Sequence, residues 1–470
     1  MLSSDLISHL RGSGLTEEAI RKRISRLKPP IMKLGGFFGD NQRLFYLQEQ
    51  FGKEEYYDGL VSALKKAAKR YYTILKAIEF HHGYLEINQL PSFTISPVSN
   101  LIGHKNVSNI IEGLIKLNLI LEDNGKYRLS IYVSSNKNDN VRYHQGVELA
   151  KEIVLSQFYN WSRNIGLVSF EKGTFHSEYS KFQWGFVAPS YVSGFIRRYE
   201  NNNIKPAFVL ADVLIGNAVN LEEVYFFIAK TEAIKSLNIS NFLPFLIVQN
   251  VSQEALLALK SNGIIVAFID KMFGSEYEEL LKSLITTVTN AGAVLKDNPE
   301  QYIKLIEQLN KLVDGKTNNL RGDLFELAVG YYHSNICQSL DIGKKVVFDG
   351  KQREIDVLAV SQNEVRIAEC KGYKYSIDLL QVEKWTNEKI PVIYDWTKSG
   401  GYYQNKKIVF EFWATGGFTD EAMDFLKSKK ESVKKYGIEF FGEQEIMEKA
   451  KASNAQKIID ILREYFIKNV

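Results

Sequence analysis

Arg353-Glu354-Ile355-Asp356-Val357-Leu358-Ala359-Val360, followed by Ser361-Gln362-Asn363-Glu364 and Val365-Arg366-Ile367-Ala368-Glu369-Cys370-Lys371, is the stretch whose reading decides the fold. Both flanks carry the β-branched and apolar residues of strands, and the polar residues between them form a turn. The segment is therefore a hairpin. Side chains two apart on a strand share a face, so Glu369 and Lys371 point the same way. The hairpin brings Asp356 beside Glu369. Two carboxylates about 4 Å apart repel by roughly 4 kcal/mol at an effective dielectric near ~20, so they require a cation or a shared proton. Hard oxygen ligands of this kind favour Mg2+ or Mn2+, which keep open positions for water and a phosphate oxygen. Such a metal lowers the pKa of a water and stabilises charge developing on a phosphate, while Lys371 orients that water or balances the charge. The Cys370 carbonyl is a further candidate ligand.

With these residues in place the chain resembles the PD-(D/E)xK nucleases, the restriction-endonuclease-like superfamily, and most of all their Mrr and Holliday-junction-resolvase branch. Three pieces match in order: Gly322-Asp323-Leu324-Phe325-Glu326-Leu327-Ala328 as a helix carrying a glutamate, the Glu354-Ile355-Asp356 strand, and the Glu369-Cys370-Lys371 strand. The resemblance spans roughly residues 318–450. It implies that Glu326, Asp356 and Glu369 hold the metal and that Lys371 serves the water. It also implies a site glutamine, Gln381, at the start of the helix Gln381-Val382-Glu383-Lys384-Trp385. Isoleucine precedes Asp356 where the family name has proline. Taken singly, Glu-x-Lys occurs on many solvated strands as a surface ion pair, and Glu326 also suits a helix start.

The 470 residues exceed one core and predict several domains. An apolar content of 45% with 24% charged residues describes an ordinary globular protein. No run approaches the ~18 apolar residues of a membrane span, and the first residues lack a signal-peptide pattern, so no membrane association and a cytoplasmic location are expected. Cys337 and Cys370 are the only cysteines. A disulfide framework or a cysteine-bound zinc is not expected, and the histidines show no ligand spacing. The net charge of +4 is localised: residues 1–135 hold 18 Lys plus Arg against 13 Asp plus Glu, a difference of +5. Nucleic-acid contact is expected to begin there.

Residues 1–58 read as helix, helix and ribbon. Thr16-Glu17-Glu18 supplies a cap and an acidic first turn for a helix ending near Leu27, which exposes Arg21, Lys22, Arg23 and Arg26. Ile31-Met32-Lys33-Leu34 and Arg43-Leu44-Phe45-Tyr46-Leu47 flank a glycine-rich tip like a wing. The pattern is similar to winged-helix DNA-binding domains, with Thr16 to Leu27 as recognition helix and Lys33 beside it. A cationic helix can equally be a solvated face. Residues 59–135 carry a second such pattern, with a helix over Asn106 to Lys116 and a hairpin around Asn124-Gly125.

Residues 140–295 repeat the order of elements expected for residues 300–470. This predicts a middle α/β domain resembling a degenerate nuclease fold, in which Asp212 and Lys230 are relics of Asp356 and Lys371 and Ile228 replaces the metal glutamate. The whole is expected to be multidomain, α+β and α/β. N-terminal winged helices precede the middle domain, and a restriction-endonuclease-like α/β domain comes last. The expected function is a magnesium-dependent (or manganese-dependent) DNA endonuclease, with recognition first and cleavage last as in type IIS restriction enzymes. A restriction or anti-phage role fits that layout. Duplex DNA is the expected partner, with a homodimer formed at least during cleavage. Two other functions share these features: a DNA-binding regulator or adaptor without activity, and a nuclease acting on RNA or branched DNA.

Overall fold

The computed structural model describes residues 1–99, 105–123, 125–133, 141–198, 204–237, 241–297, 300, 302–305, 308, 318–452 and 456–467. The chain gathers into two compact units, residues 1–147 with 154–278, and residues 148–153 with 279–470. It is a mixed α/β protein with several separate sheets.

The first unit opens with α1 (Ser3–Leu10) and α2 (Glu17–Ser25), followed by an antiparallel ribbon of β1 (Ile31–Leu34) and β2 (Leu44–Leu47). The Thr16 hydroxyl accepts from the Ala19 N–H, and Glu17 and Glu18 sit in the first turn where the helix dipole favours anions. Ile7, Ile20, Ile24 and Phe45 close a small core under this segment. Next come α3 (Glu54–Ala67), α4 (Lys69–Phe80), β3 (Tyr84–Glu86), α5 (Val107–Lys116), β4 (Ile120–Asp123) and β5 (Lys126–Leu129). The strands form a sheet of order β3-β5-β4, all antiparallel. Asn106 caps α5 by accepting from the Asn109 N–H. Asn124, of the anticipated Asn-Gly turn, lies outside the described residues, while Gly125 takes the positive φ of 77° that such a turn requires.

A five-stranded sheet follows. Its elements are α6 (Val141–Asn164), β6 (Thr174–Tyr179), β7 (Phe182–Ser190), the short pair β8 (Arg197–Arg198) and β9 (Ile204–Lys205), β10 (Ala207–Leu214), α7 (Leu221–Lys235), β11 (Phe242–Val248), α8 (Gln253–Ser261) and β12 (Ile265–Phe268). The order is β12-β11-β10-β7-β6, antiparallel from β6 through β7 to β10 and parallel from β10 through β11 to β12.

After α9 (Ile269–Phe273), α10 (Ser275–Thr289) and α11 (Ala291–Asp297), the second unit continues with α12 (Asn318–Ser334), β13 (Ser339–Phe348), β14 (Lys351–Val360) and β15 (Glu364–Lys371). Then come α13 (Leu379–Lys384), a π-helical turn (Trp385–Lys389), α14 (Ile390–Ser399), β16 (Lys407–Ala414), α15 (Asp420–Ser432), β17 (Gly437–Phe441), α16 (Glu443–Ala452) and α17 (Gln456–Ile461). The sheet runs β13-β14-β15-β16-β17, antiparallel over the first three strands and parallel over the last three. Val365 and Ile367 of β15 and Phe410 and Phe412 of β16 are buried with Ile390, Ile393 and Leu426 of the helices that follow. α12 packs against β14 and β15.

The two five-stranded sheets thus share one plan in sequence order and strand direction, with β7 matching β14 and β10 matching β15. This corrects the residue-level pairing drawn from sequence. Val224 to Lys230 is helical, part of α7, and is not the strand that would make Lys230 a counterpart of Lys371 and put Ile228 in a ligand's place. The run is apolar on every side because α7 is mostly buried, so its periodicity does not distinguish helix from strand. Its start signal is the capping box of Asn220 and Glu223.

Candidate active site

One residue past the end of the β14–β15 ladder, at Val357 with Ala368, Asp356 stands opposite Glu369. The hairpin register therefore sets the two carboxylates side by side, as the alternation along Val365 to Lys371 requires. Both are buried, at 7% and 8% exposure. Lys371 Nζ lies 2.8 Å from Glu369 Oε1. The Cys370 N–H donates to Asp356 Oδ2 at 2.8 Å. In a strand the N–H and C=O of one residue project to the same edge, so the Cys370 carbonyl faces the opening beside Asp356.

A second cation completes the cluster, and sequence reasoning missed it. Lys389, the last residue of the π-helical turn, places its Nζ 3.6 Å from Asp356 Oδ1 and pairs with Glu369 Oε2. Nothing in Thr386-Asn387-Glu388-Lys389-Ile390-Pro391 signals this role. The only local cue is Pro391, which lacks the N–H that a regular helix would use and sits just after the widened turn. Trp385 anchors that turn edge-to-face on Phe412 of β16, ring centroids 5.0 Å apart.

The electrostatics follow from this packing. Burial and then the charge of Glu369 push the Asp356 carboxyl above its ordinary pKa, against Lys389 and Lys371. Burial also acts to raise Glu369, but Lys389 and Lys371 outweigh it and hold that carboxyl at about 2. The asymmetry matches the contacts, since among the described residues both ammonium groups lie within ion-pair distance of Glu369 and only Lys389 does so for Asp356. The Cys370 thiol is pushed well up by burial and by the charges of Asp356, Glu326 and Glu369, so it stays protonated and is no nucleophile.

Glu326, half-buried on α12, comes within electrostatic reach of Cys370 and so lies on the site strand's flank. The Gln381 side chain accepts from the Asp378 N–H at 3.3 Å while Asp378 accepts from the Gln381 N–H at 2.9 Å, a capping box that starts α13. At the other end of the chain, Arg21 pairs with Glu17 and Lys22 with Glu18, both on one exposed helix face. Lys33 Nζ reaches the Ser25 carbonyl at 3.5 Å. Arg23 and Arg26 are exposed and form no ion pair among the described residues.

Among the described residues no group of three or more His, Cys, Asp or Glu forms a ready-made metal cage. Two carboxylates and a carbonyl remain, a set suited to a cation that keeps several waters, as Mg2+ does. The Lys389 ammonium shared between Asp356 and Glu369 marks the place where positive charge is held, so the residues fit a hard divalent ion. No helix among the described residues is long and apolar enough to cross a membrane.

No family model and no curated protein matches this chain. Among solved structures it is similar to the MspJI restriction endonuclease in complex with a 27-mer oligonucleotide, at 13% identity, over 40% of this chain and 40% of that one, with a TM-score of 0.20. Nothing about this chain's activity follows from a likeness of that size.

Proposed function

We propose that this chain is a metal-dependent nuclease of the restriction-endonuclease-like kind, hydrolysing DNA phosphodiester bonds at Asp356, Glu369 and Lys371. The observation that carries the reading is the meeting of two buried carboxylates and a lysine on adjacent strands. Asp356 and Glu369 would hold Mg2+ or Mn2+, with the Cys370 carbonyl and Glu326 beside them. When bound, such an ion supplies Lewis acidity to a water and neutralises charge on the phosphate. Lys371, fixed by Glu369, orients the attacking water and balances the charge that develops on the phosphoryl oxygens. Burial of the carboxylates strengthens each of these interactions relative to bulk water.

The N-terminal region supports recognition of duplex DNA. The β3-β5-β4 sheet with α4 and α5 has the strand and helix order of a winged helix, and α1, α2 and the β1–β2 ribbon form a smaller unit of similar composition. Arg23 of α2 and Arg26 at its C-terminal cap are cations left open to phosphates. One site of this kind cuts one strand, so breaking both strands takes two chains or two encounters, and a transient homodimer meets that need. The test incubates wild type and Lys371→Met with supercoiled plasmid, linear duplex, single-stranded DNA and RNA, in Mg2+, Mn2+ or EDTA. Metal-dependent cutting of DNA that vanishes in the variant is expected; equal cutting by both proteins would exclude this site.

A further inference from the structure

We propose that Lys389 is the resident cation of the Asp356–Glu369 pair, and that a divalent ion enters the site by displacing its ammonium group. The inference rests on the reading of those two carboxylates as metal ligands. Its first support is geometric: the Lys389 Nζ is shared between Asp356 Oδ1 and Glu369 Oε2, the position a bridging ion would take. Its second is charge. Asp356, Glu369, Lys371 and Lys389 are two anions and two cations, formally neutral together. Even counting Glu326 on the flank, a doubly charged ion added with both lysines in place would leave one excess positive charge in a buried site. Lys371 is held by Glu369 from two residues along the same strand and face, so Lys389, on a flexible stem from another element, is the group free to leave. Its side chain is 19% exposed, where that of Lys230 at the other sheet is 0%.

The other five-stranded sheet shows the same device in sealed form. One residue past the last β7–β10 pair, Phe186 with Ala211, Asp212 stands opposite Gly185. Asp212 therefore takes Glu369's place, Gly185 takes Asp356's, and Leu214 takes that of Lys371. Lys230, from the helix after the third strand as Lys389 is, pairs with Asp212 at 3.0 Å. There the ammonium also donates to the carbonyls of Ser92 at 2.7 Å and Gln183 at 2.8 Å, lies 3.9 Å from the Trp184 ring centroid, and is wholly buried. Lys389 has none of these additional anchors among the described residues. A lysine from the crossover helix neutralises the strand-end carboxylate in both sheets, fixed in one and exchangeable in the other.

The experiment titrates Mn2+ by calorimetry into the full-length protein without nucleic acid, using wild type, Lys389→Met, Lys389→Gln, Lys389→Arg and Asp356→Asn. Asp356→Asn is expected to remove the site. Lys389→Met and Lys389→Gln are expected to bind Mn2+ at least about tenfold more tightly than wild type, and Lys389→Arg, which keeps the charge, no more tightly. If Asp356→Asn removes the site but neither neutral variant gains affinity, Lys389 is a structural ion-pair partner and the inference fails while the metal reading stands. If Asp356→Asn leaves Mn2+ binding unchanged, the metal reading fails and takes the inference with it.

Discussion

Lys230→Met should be among the most destabilising substitutions in the first unit. The methionine fills the space of the lysine stem but removes the ammonium that neutralises Asp212, whose carboxylate is at 1% exposure. Among the described residues one hydrogen bond then remains to it, from the Gly185 N–H at 2.6 Å, and the Ser92 and Gln183 carbonyls lose their donor as well. Breaking a buried pair by removing one partner costs about 3–5 kcal/mol. At ~1.4 kcal/mol per factor of ten, that corresponds to hydrogen exchange faster by roughly two to four orders of magnitude. The assay is hydrogen exchange read by mass spectrometry on the peptide covering Phe182–Ser190, which contains the reporting Gly185 amide. Neutralising the orphaned acid with Asp212→Asn should restore most of the protection, because the amide oxygen still accepts from Gly185. Magnesium should not, since this sheet lacks the second carboxylate. Lys389→Met should behave in the opposite way, with Mg2+ at about 100 times its Kd returning roughly 2.7 kcal/mol. An effect of Lys230→Met below about 1 kcal/mol, or its rescue by Mg2+, would refute the account of Asp212 as a charge sealed by lysine.

Glu411 is wholly buried; burial opposes its ionisation, yet His333, Arg366 and the Trp413 N–H hold its carboxyl at about 2 instead of the ordinary 4.5. Because the folded value is depressed, the stabilisation is complete above pH ~4.5 and is lost as pH falls through ~2, a contribution on the order of 3 kcal/mol; acid-unfolding curves of wild type and Glu411→Gln should converge over that window, and parallel curves would exclude it. Gly416→Ala should lower the melting temperature, since a Cβ there would lie 2.2 Å from the Tyr375 carbonyl, which is backbone; an unchanged melt would show that the loop after Lys371 yields freely. Arg23→Ala with Arg26→Ala should weaken DNA binding more than Arg21→Ala with Lys22→Ala, and should lower the salt slope by up to ~2. Equal affinities of the two double variants in a fluorescence-anisotropy titration would count against α2 as a phosphate-contacting helix.

Some of this was legible from the chain alone, and the limits are physical. The hairpin of Asp356 and Glu369 could be read because alternation and a polar turn are local signals, although β14 begins at Lys351, before the β-branched run starts. Thr16 and Asn106 announce their helices for the same reason, as the first oxygen to meet an unpaired N–H. Lys389 was invisible because its partners are 33 and 20 residues away in the chain and depend on a widened helical turn. Gln381 carries two readings, since its residue type and place suggest a site group while its side chain also caps the helix start. In the middle sheet the repeated order was visible, but the residue pairing slipped by one element because a helix buried on most sides looks like a strand over seven residues.

The two sheets together show what separates a structural charge from a chemical one. A carboxylate at the end of a buried strand requires positive charge, and a lysine from the crossover helix provides it without any external ion. Where that lysine is also held by two carbonyls and an indole, as Lys230 is, every donor is used and exchange would leave several groups unsatisfied. Where it rests on carboxylates alone, as Lys389 does, an ion of higher charge density can take over both contacts at once. On the proposed reading, a second carboxylate would then hold the ion and a second lysine would stay with the water. Gly185 and Leu214 deny the middle sheet both groups. The difference between the sheets lies in three side chains at matched positions and in the packing around one ammonium, and the Mn2+ affinities and exchange rates above measure each part separately.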